Sequence, residues 1–481
     1  MAKKFNNPAE LLNTVCKKFH DDNALIQPDF KRFSNRIVYK SLTYEEFGRY
    51  VNEYIKILRA RGVKKGDRIL LLLPFSFELY TAIVAIMAIG ATAVFVEPWM
   101  MKRKYRGLIN DIKLDFVICD RKLFILLRFF TFFGKSLLYI PIPKLVKAIR
   151  RREDMEFEEV DINEAAIITF TTGSGDVPKK VVRSYGDLNC QLKQVALTIP
   201  PDFDSTDFVT FPNLILFNLS QGATSVIPHR SYRGEILNGG IYRKVIDELK
   251  VGRIFMSPRN IETIFEKRFE NHVRSIYTGG GPITLRCIKS IRNIEKVRIF
   301  YGSTEIEPIS TIELNEYIKS DKCRGIPVGK PINGVKIRIN CFDNNIGEIE
   351  ARYDRCNEST YSDRWFKTGD VGYIDEGGNI CLMGRMNNIP KYDNGYIYPF
   401  EVQRIVEKNR ENNTVLPLYI NNKLVIIVSP QSDRVNSIIR NFLLEKGIRE
   451  FHIMSLDKIP RDPRHHSKID MKEIKKKFSN Y

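Results

Sequence analysis

Thr169-Phe170-Thr171-Thr172-Gly173-Ser174-Gly175-Asp176-Val177-Pro178-Lys179-Lys180 is the stretch whose reading decides the fold. Apolar residues 165–168 lead into it and predict a strand. Thr171, Thr172 and Ser174 offer hydroxyl donors, and Gly173 lets the backbone approach an anion closely. Lys179, a few residues on, can add a cation at the phosphate end. On these residues alone, a flexible polar hairpin loop is an equally good reading. A Walker A loop is excluded: it ends in Gly-Lys-Ser/Thr, and here Pro178 precedes Lys179.

Upstream, Ser41-Leu42-Thr43-Tyr44-Glu45-Glu46 reads as a capped helix start. Phe47, Val51, Tyr54, Ile55 and Leu58 then recur at helical spacing. Residues 68–73 read as a strand, 79–89 as an apolar helix ended by Gly90, and 91–96 as a strand again. Strands alternating with helices predict an α/β fold with parallel βαβ units. Downstream, Ser184-Tyr185-Gly186-Asp187 resembles a capping box. Residues 208–217 and 223–227 read as strands, 245–249 as helix and 252–256 as extended. Two further apolar strands run into small or polar loops, Tyr277-Thr278-Gly279-Gly280-Gly281-Pro282 and Tyr301-Gly302-Ser303-Thr304-Glu305. In open α/β sheets such strand ends form the ligand crevice. From about Gly329 short alternating strands predict a β-rich subdomain, and beyond Gly384-Arg385 a smaller α+β segment follows, with a helix over 399–408.

The 481 residues suffice for two or three cores, and 43% hydrophobic with 28% charged residues is globular composition. A formal charge of +19 favours anionic partners, or is simply a solvated basic surface. No nucleic-acid-binding module appears among the basic stretches, so no nucleic acid is expected. The eight cysteines show no CxxC pair, which argues against a zinc or redox motif and for reduced thiols in a cytoplasmic protein. The apolar segment from Leu123 to Leu138 is short for a membrane span and is interrupted by Arg128 and Lys135. It reads as a buried helix or a hydrophobic surface element, with peripheral membrane contact as the functional version.

Seven motifs stand in one fixed order. They are Leu42-Thr43-Tyr44 to Pro98, Thr171 to Lys180, Tyr277 to Pro282, Tyr301 to Glu305, Lys367-Thr368-Gly369-Asp370, Gly384-Arg385 with Lys391 to Glu401, and His466-Ser467-Lys468-Ile469-Asp470. Together they resemble the superfamily of AMP-forming, acyl-adenylating enzymes, which includes acyl-CoA synthetases, peptide-synthetase adenylation domains and firefly luciferase. The resemblance covers nearly the whole chain. It implies an N-terminal domain over 1–385 of layered mixed and parallel sheets, its β-rich subdomain at about 329–385, and a small mobile C-terminal lid over 386–481.

The resemblance also implies roles. A carboxylate and the α-phosphate of ATP are both anionic, so cations must offset their repulsion. Lys468 would stabilise that transition state. Glu305 would bind Mg²⁺, and Thr304 would hydrogen-bond the α-phosphate. Thr171, Thr172, Gly173, Ser174 and Lys179 would grip the pyrophosphate. Gly279, Gly280 and Tyr301 would form the adenine slot. Asp370 would hold the ribose hydroxyls, supported by Arg385, and Lys391 would act after the lid rotates. Each has a plainer reading: a tail lysine, a loop glutamate, a turn aspartate, a surface ion pair, a core tyrosine.

The implied activity joins a carboxylic acid to AMP with loss of pyrophosphate. The acyl group then passes to CoA or to the phosphopantetheine of an acyl or peptidyl carrier protein. Local motifs around Phe211 to Pro228 and Arg464 to Ile469 look like olefin-pathway β-lactone synthetases and stand-alone fatty-acyl ligases, which points to fatty or 3-hydroxyacyl substrates. This chain departs from the family at Gly175-Asp176, at Lys180, and at the hinge position Asn387. A catalytically weakened adenylate- or acyl-binding protein is the reading of another class.

Overall fold

A computed structural model describes residues 6–30, 36–96, 100, 103–129, 137–143, 154–171, 178–228, 239–265, 272–354, 356, 362, 364–392, 395–421, 423–460 and 469–478. Two compact units emerge: Met1–Phe255 with Arg355–Asp363, and Met256–Asp354 with Arg364–Tyr481.

The first unit holds a six-stranded sheet in the order Leu138–Ile140, Phe116–Cys119, Arg68–Leu72, Thr92–Phe95, Ala165–Thr171, Lys179–Ser184. The first five strands are parallel and the last is antiparallel. Its strands are short apolar runs because both faces are covered. Leu70, Val94, Val117 and Ile168 meet in one cluster at the sheet centre. Helix Phe77–Ala88 makes the crossover after Arg68–Leu72, with Ser76 accepting from the Leu79 N–H at its start, and almost every side chain on it is buried. A second set of strands runs Arg253–Phe255, Thr206–Val209, Thr224–Val226, Asn23–Phe30, Ile37–Thr43. Arg253 and Asp207 form a buried ion pair there, with Nε to Oδ1 at 2.7 Å and the Asn218 amide donating to Oδ2 at 2.8 Å.

Both helix starts expected from sequence are found. Thr43 and Glu46 form a reciprocal capping box for Tyr44–Ala60, as Ser184 and Asp187 do for Tyr185–Thr198. The strand expected over 208–217 is corrected. The strand stops at Val209, and Pro212–Gln221 is a helix with proline in its first turn and Gly222 at its C-cap with φ +83°. Proline presets the helical φ and Gly222 supplies the left-handed residue that ends it, which overrides the apolar run between them.

The cysteines also differ from expectation. Cys190 is joined to Cys356 and Cys323 to Cys381, across sequence separations of 166 and 58 that leave no local pattern. Among the described residues, Cys16, Cys119 and Cys287 are buried and not in a disulfide, and Cys341 is exposed and not in a disulfide. Within 123–138, Arg121–Phe129 is helical, Leu138 begins a strand, and Ile125 and Leu138 are exposed. Among the described residues no helix is long and apolar enough to cross a membrane.

In the second unit, Ser275–Gly279 and Lys296–Tyr301 pair in parallel. Beyond them the strands Ser310–Glu313, Ile326–Pro331, Ile380–Arg385, Phe366–Ile374, Ile346–Tyr353 and Val335–Asp343 follow in antiparallel order. A short hairpin, Lys391–Tyr392 with Gly395–Tyr396, comes after Arg385. A three-stranded sheet, Thr414–Ile420, Lys423–Ser429 and His452–Ser455, packs against helices Pro399–Lys408 and Asp433–Glu445 through Val402, Val406, Ile426, Ile439 and Leu443.

Helix Pro399–Lys408 lies against the short helix Leu314–Lys319 and the turn after it. Arg404 sits over the Tyr317 ring at 5.1 Å and donates to the carbonyls of Tyr317 and Ser320 at 3.4 and 3.3 Å. Lys408 donates to the carbonyl of Asp321 at 2.5 Å. The Tyr317 and Ser320 carbonyls also accept from the N–H groups of Ser320 and Cys323, so the cations add second bonds at this helix end. Glu401 bridges Arg324 at 2.8 Å and Lys446 at 3.0 Å.

Candidate functional site

The parallel strands Ser275–Gly279 and Lys296–Tyr301 end side by side, with Gly279 opposite Phe300. A Cβ on Gly279 would stand 2.7 Å from the Phe300 carbonyl oxygen, so the close approach requires glycine. Gly280 has φ +76°, the left-handed region that glycine enters without strain. After Tyr301 the chain makes a tight turn. The Ser303 N–H donates to the Ile306 carbonyl at 2.9 Å, and the Ile306 N–H to Ser303 Oγ at 3.2 Å. Thr304 and Glu305 lie on that turn, half-buried.

Strands Phe366–Ile374 and Ile380–Arg385 place Asp370 directly opposite Arg385. Arg385 Nε lies 3.0 Å from Asp370 Oδ1, and the Tyr301 hydroxyl donates to Asp370 Oδ2 at 2.9 Å. Arg385 also donates from Nη1 to the Thr368 carbonyl at 3.0 Å. The Asp370 N–H donates to Thr368 Oγ1 at 3.1 Å, and that hydroxyl donates to the Ile349 carbonyl at 2.8 Å. Gly369 between them has φ +73°. Burial, and then the negative charge of Asp370, push the Tyr301 phenol well above its ordinary value, so it stays a donor.

The structure therefore brings Tyr301, Asp370 and Arg385 into direct contact, with Gly279, Gly280, Thr304 and Glu305 on the adjoining loops. Sequence reading missed Thr368 as the residue that fixes the Asp370 main chain. Its only signal was its place in Lys367-Thr368-Gly369-Asp370. Lys391 is exposed on the short hairpin, and Asn387 is exposed in the turn Met386–Asn388. In the first unit, Thr171 pairs with Lys179 and Phe170 with Lys180 on antiparallel strands. Thr172, Gly173, Ser174, Gly175 and Asp176 lie outside the described residues, as does Lys468. The Asp470 N–H donates to the Pro460 carbonyl at 3.0 Å, which ties together the two ends of the stretch containing Lys468.

Among the described residues no three metal-ligating side chains cluster. Glu305, half-buried on the turn after Tyr301, offers a carboxylate. That suits Mg²⁺, which takes one or two carboxylates and draws its other ligands from phosphate and water.

The profile of the AMP-binding enzyme family matches residues 12–352. The chain belongs to this family. A 2-succinylbenzoate–CoA ligase of Oceanobacillus iheyensis is 23% identical over 389 residues, covering 76% of this chain and 78% of the relative. Among solved structures, an o-succinylbenzoate coenzyme A synthetase of Bacillus subtilis in complex with ATP and magnesium aligns with TM-score 0.74 and 20% identity, over 95% of this chain and 97% of that one. An amide bond synthetase of Marinactinospora thermotolerans aligns with TM-score 0.77 and 16% identity, over 98% of this chain and 100% of that one. These likenesses support the α/β architecture of layered sheets expected from sequence.

Proposed function

We propose that this AMP-binding enzyme is an acid–thiol ligase. It condenses a carboxylic acid with ATP to an acyl adenylate, releases pyrophosphate, and passes the acyl group to the thiol of CoA or a carrier-protein phosphopantetheine. The observation that carries the reading is Asp370, held between Arg385 on the neighbouring antiparallel strand and Tyr301 at the carboxyl end of a parallel one, where a ribose would meet a carboxylate. The CoA-ligase relatives support the acceptor class, and the neighbour holding ATP and magnesium supports the co-substrate.

In this reading, the ring of Tyr301 and the backbone of Gly279 and Gly280 receive adenine. Asp370 accepts from the ribose and Arg385 supports it. Thr304 donates to the α-phosphate. Thr171, the 172–174 segment and Lys179 bind the departing pyrophosphate. Lys468 offsets the charge that develops as the carboxylate attacks. Glu305 would hold Mg²⁺, which when bound neutralises phosphate charge. Residues 386–481 act as the lid, pivoting near Asn387 and presenting Lys468 for the first half-reaction and Lys391 for the second.

The substrate pool we favour is fatty or 3-hydroxyacyl acids, with intramolecular ring closure to a β-lactone as the alternative ending. ATP–pyrophosphate exchange with a panel of fatty, 3-hydroxy and aryl-substituted acids tests the proposal. Exchange with at least one acid, lost in Lys468→Ala, is the expected result. Calorimetric nucleotide binding with no exchange on any acid would establish the weakened binding protein instead.

A further inference from the structure

Helix Pro399–Lys408 turns Val402 and Val406 into the core it shares with Thr414–Ile420, Lys423–Ser429 and Asp433–Glu445. At helical spacing, Glu401, Arg404, Glu407 and Lys408 fall on its other side. Three of these four are nevertheless buried: Glu401, Arg404 and Glu407 are 5%, 6% and 9% exposed. Their cover is therefore the surface on which the helix is seated. Tyr317, the turn 320–324 and the strands Ile326–Pro331 and Ile380–Arg385 make that surface. An interface that buries a stripe of charge gains little from closing and is readily re-wetted.

Within that stripe Glu407 is the poorly matched member. Gln403 Nε2 donates to its Oε1 at 3.2 Å, and Arg404 Nη1 stands 3.8 Å from its Oε2, a long ion pair. Glu401, by contrast, is held by Arg324 at 2.8 Å and by Lys446 at 3.0 Å. Arg404 is drawn toward the Tyr317 ring and the Tyr317 and Ser320 carbonyls, and its Nε is buried without an acceptor among the described residues. Burial therefore outweighs Arg404 and Gln403 and pushes the Glu407 carboxyl up from 4.5 to about 7. Around it, Tyr317 and the nearby Cys287 thiol are pushed up by burial. Lys408 is lowered by burial and by Arg404, and donates to the Asp321 carbonyl. The strands beneath add Lys330 and Arg385, both exposed, while Thr414–Ile420 and Asp433–Glu445 present Val415, Ile439 and Leu443.

We infer that the seating of residues 386–481 is proton-linked through Glu407: the carboxyl holds a proton while helix Pro399–Lys408 is docked and gives it up to water when the charged face opens. The inference rests on the lid reading proposed above. Docked Glu407 carries the raised value and solvated Glu407 the ordinary one. Docking therefore has its full proton contribution below about 4.5 and loses it as pH rises through about 7. A thiol acceptor also forms its thiolate as pH rises, so release of the lid and activation of the nucleophile respond to pH in the same sense.

The test is single-molecule energy transfer on the full chain, with dyes on Cys341 and on a cysteine placed at exposed Leu444, from about pH 5.5 to about 8.5. The docked-to-undocked ratio should fall about twentyfold between about pH 5.5 and about 7.5 and level off above that. Glu407→Gln, which keeps the side-chain shape, should hold the ratio within about twofold across the range. Lys408→Met should shift the ratio but keep the slope, because the titrating carboxyl is still present. A wild-type ratio that does not move with pH overturns the inference. So does a slope that survives Glu407→Gln or disappears in Lys408→Met, since a merely structural Glu407 would change the ratio and not its pH dependence. A single population at every pH would refute the lid reading itself, a result distinct from two populations in a fixed ratio.

Discussion

Arg324→Ala should loosen the attachment of residues 386–481 without unfolding them. Arg324 precedes the pivot proposed near Asn387, and its partner Glu401 follows it, with Nε to Oε1 at 2.8 Å. Lys446, the other partner of Glu401, also follows the pivot and travels with it. The proposed rotation of the lid would therefore break the first contact and can keep the second. Glu401 is buried, and a hydrogen bond between charged groups in such a place is worth about 1.5–3 kcal/mol. The Arg324 side chain is 47% exposed, so solvent screening reduces this to about 1 kcal/mol, or about fivefold in the docked-to-undocked ratio. Cys341, exposed and not in a disulfide, and a cysteine placed at exposed Leu444 give a dye pair across the pivot for single-molecule energy transfer. Arg324→Ala should raise the odds of the undocked population about fivefold, and Lys446→Ala should leave them unchanged. Identical populations in Arg324→Ala and wild type, or an equal shift in Lys446→Ala, would refute the reasoning.

Three further outcomes are expected. Arg253→Met should cost about 3–5 kcal/mol in denaturant unfolding of the first unit, because it strands the buried Asp207 carboxylate, while Arg253→Met with Asp207→Leu should recover a large part of that loss. Burial pushes the Glu407 carboxyl up from 4.5 to about 7, with Arg404 opposing; between those values the fold retains a proton that the unfolded chain has released, so stability should fall by up to about 3 kcal/mol as pH rises from about 4.5 to 7, and Glu407→Gln should flatten that slope in pH-dependent melts. Gly279→Ala should weaken AMP binding and cost about 1–3 kcal/mol of stability in the second unit, since its Cβ meets backbone rather than a yielding side chain.

Local physics made part of this legible in advance. The Thr43 and Ser184 helix starts follow from short-range capping, which sequence records directly. The antiparallel strands Ala165–Thr171 and Lys179–Ser184 follow from an apolar run, small polar residues and a proline. Residues 208–217 misled because an apolar run does not separate a strand from a buried helix. Pro212 and Gly222 were the signals that did, and they lay at the edges of the run. The site was legible as a set of motifs but not as a geometry. The Tyr301–Asp370 hydrogen bond crosses from one strand to a distant one, and no spacing rule anticipates it. The disulfides and the cations on the Leu314–Lys319 helix were hidden for the same reason: their partners are remote in sequence.

That last contact has a practical side. The carbonyls of Tyr317 and Ser320 accept from Arg404 as well as from the N–H groups of Ser320 and Cys323, and that of Asp321 accepts from Lys408; both cations belong to the segment proposed to move. If that segment leaves as proposed, water must take over the bonds that the two cations made, while the Ser320 and Cys323 N–H groups keep theirs. Carbonyl chemical shifts of 317–321 thus form an intrinsic gauge of lid position. The gauge needs no label, it lies outside the segment proposed to move, and under that proposal it reads lid position as a change in solvation of three backbone oxygens.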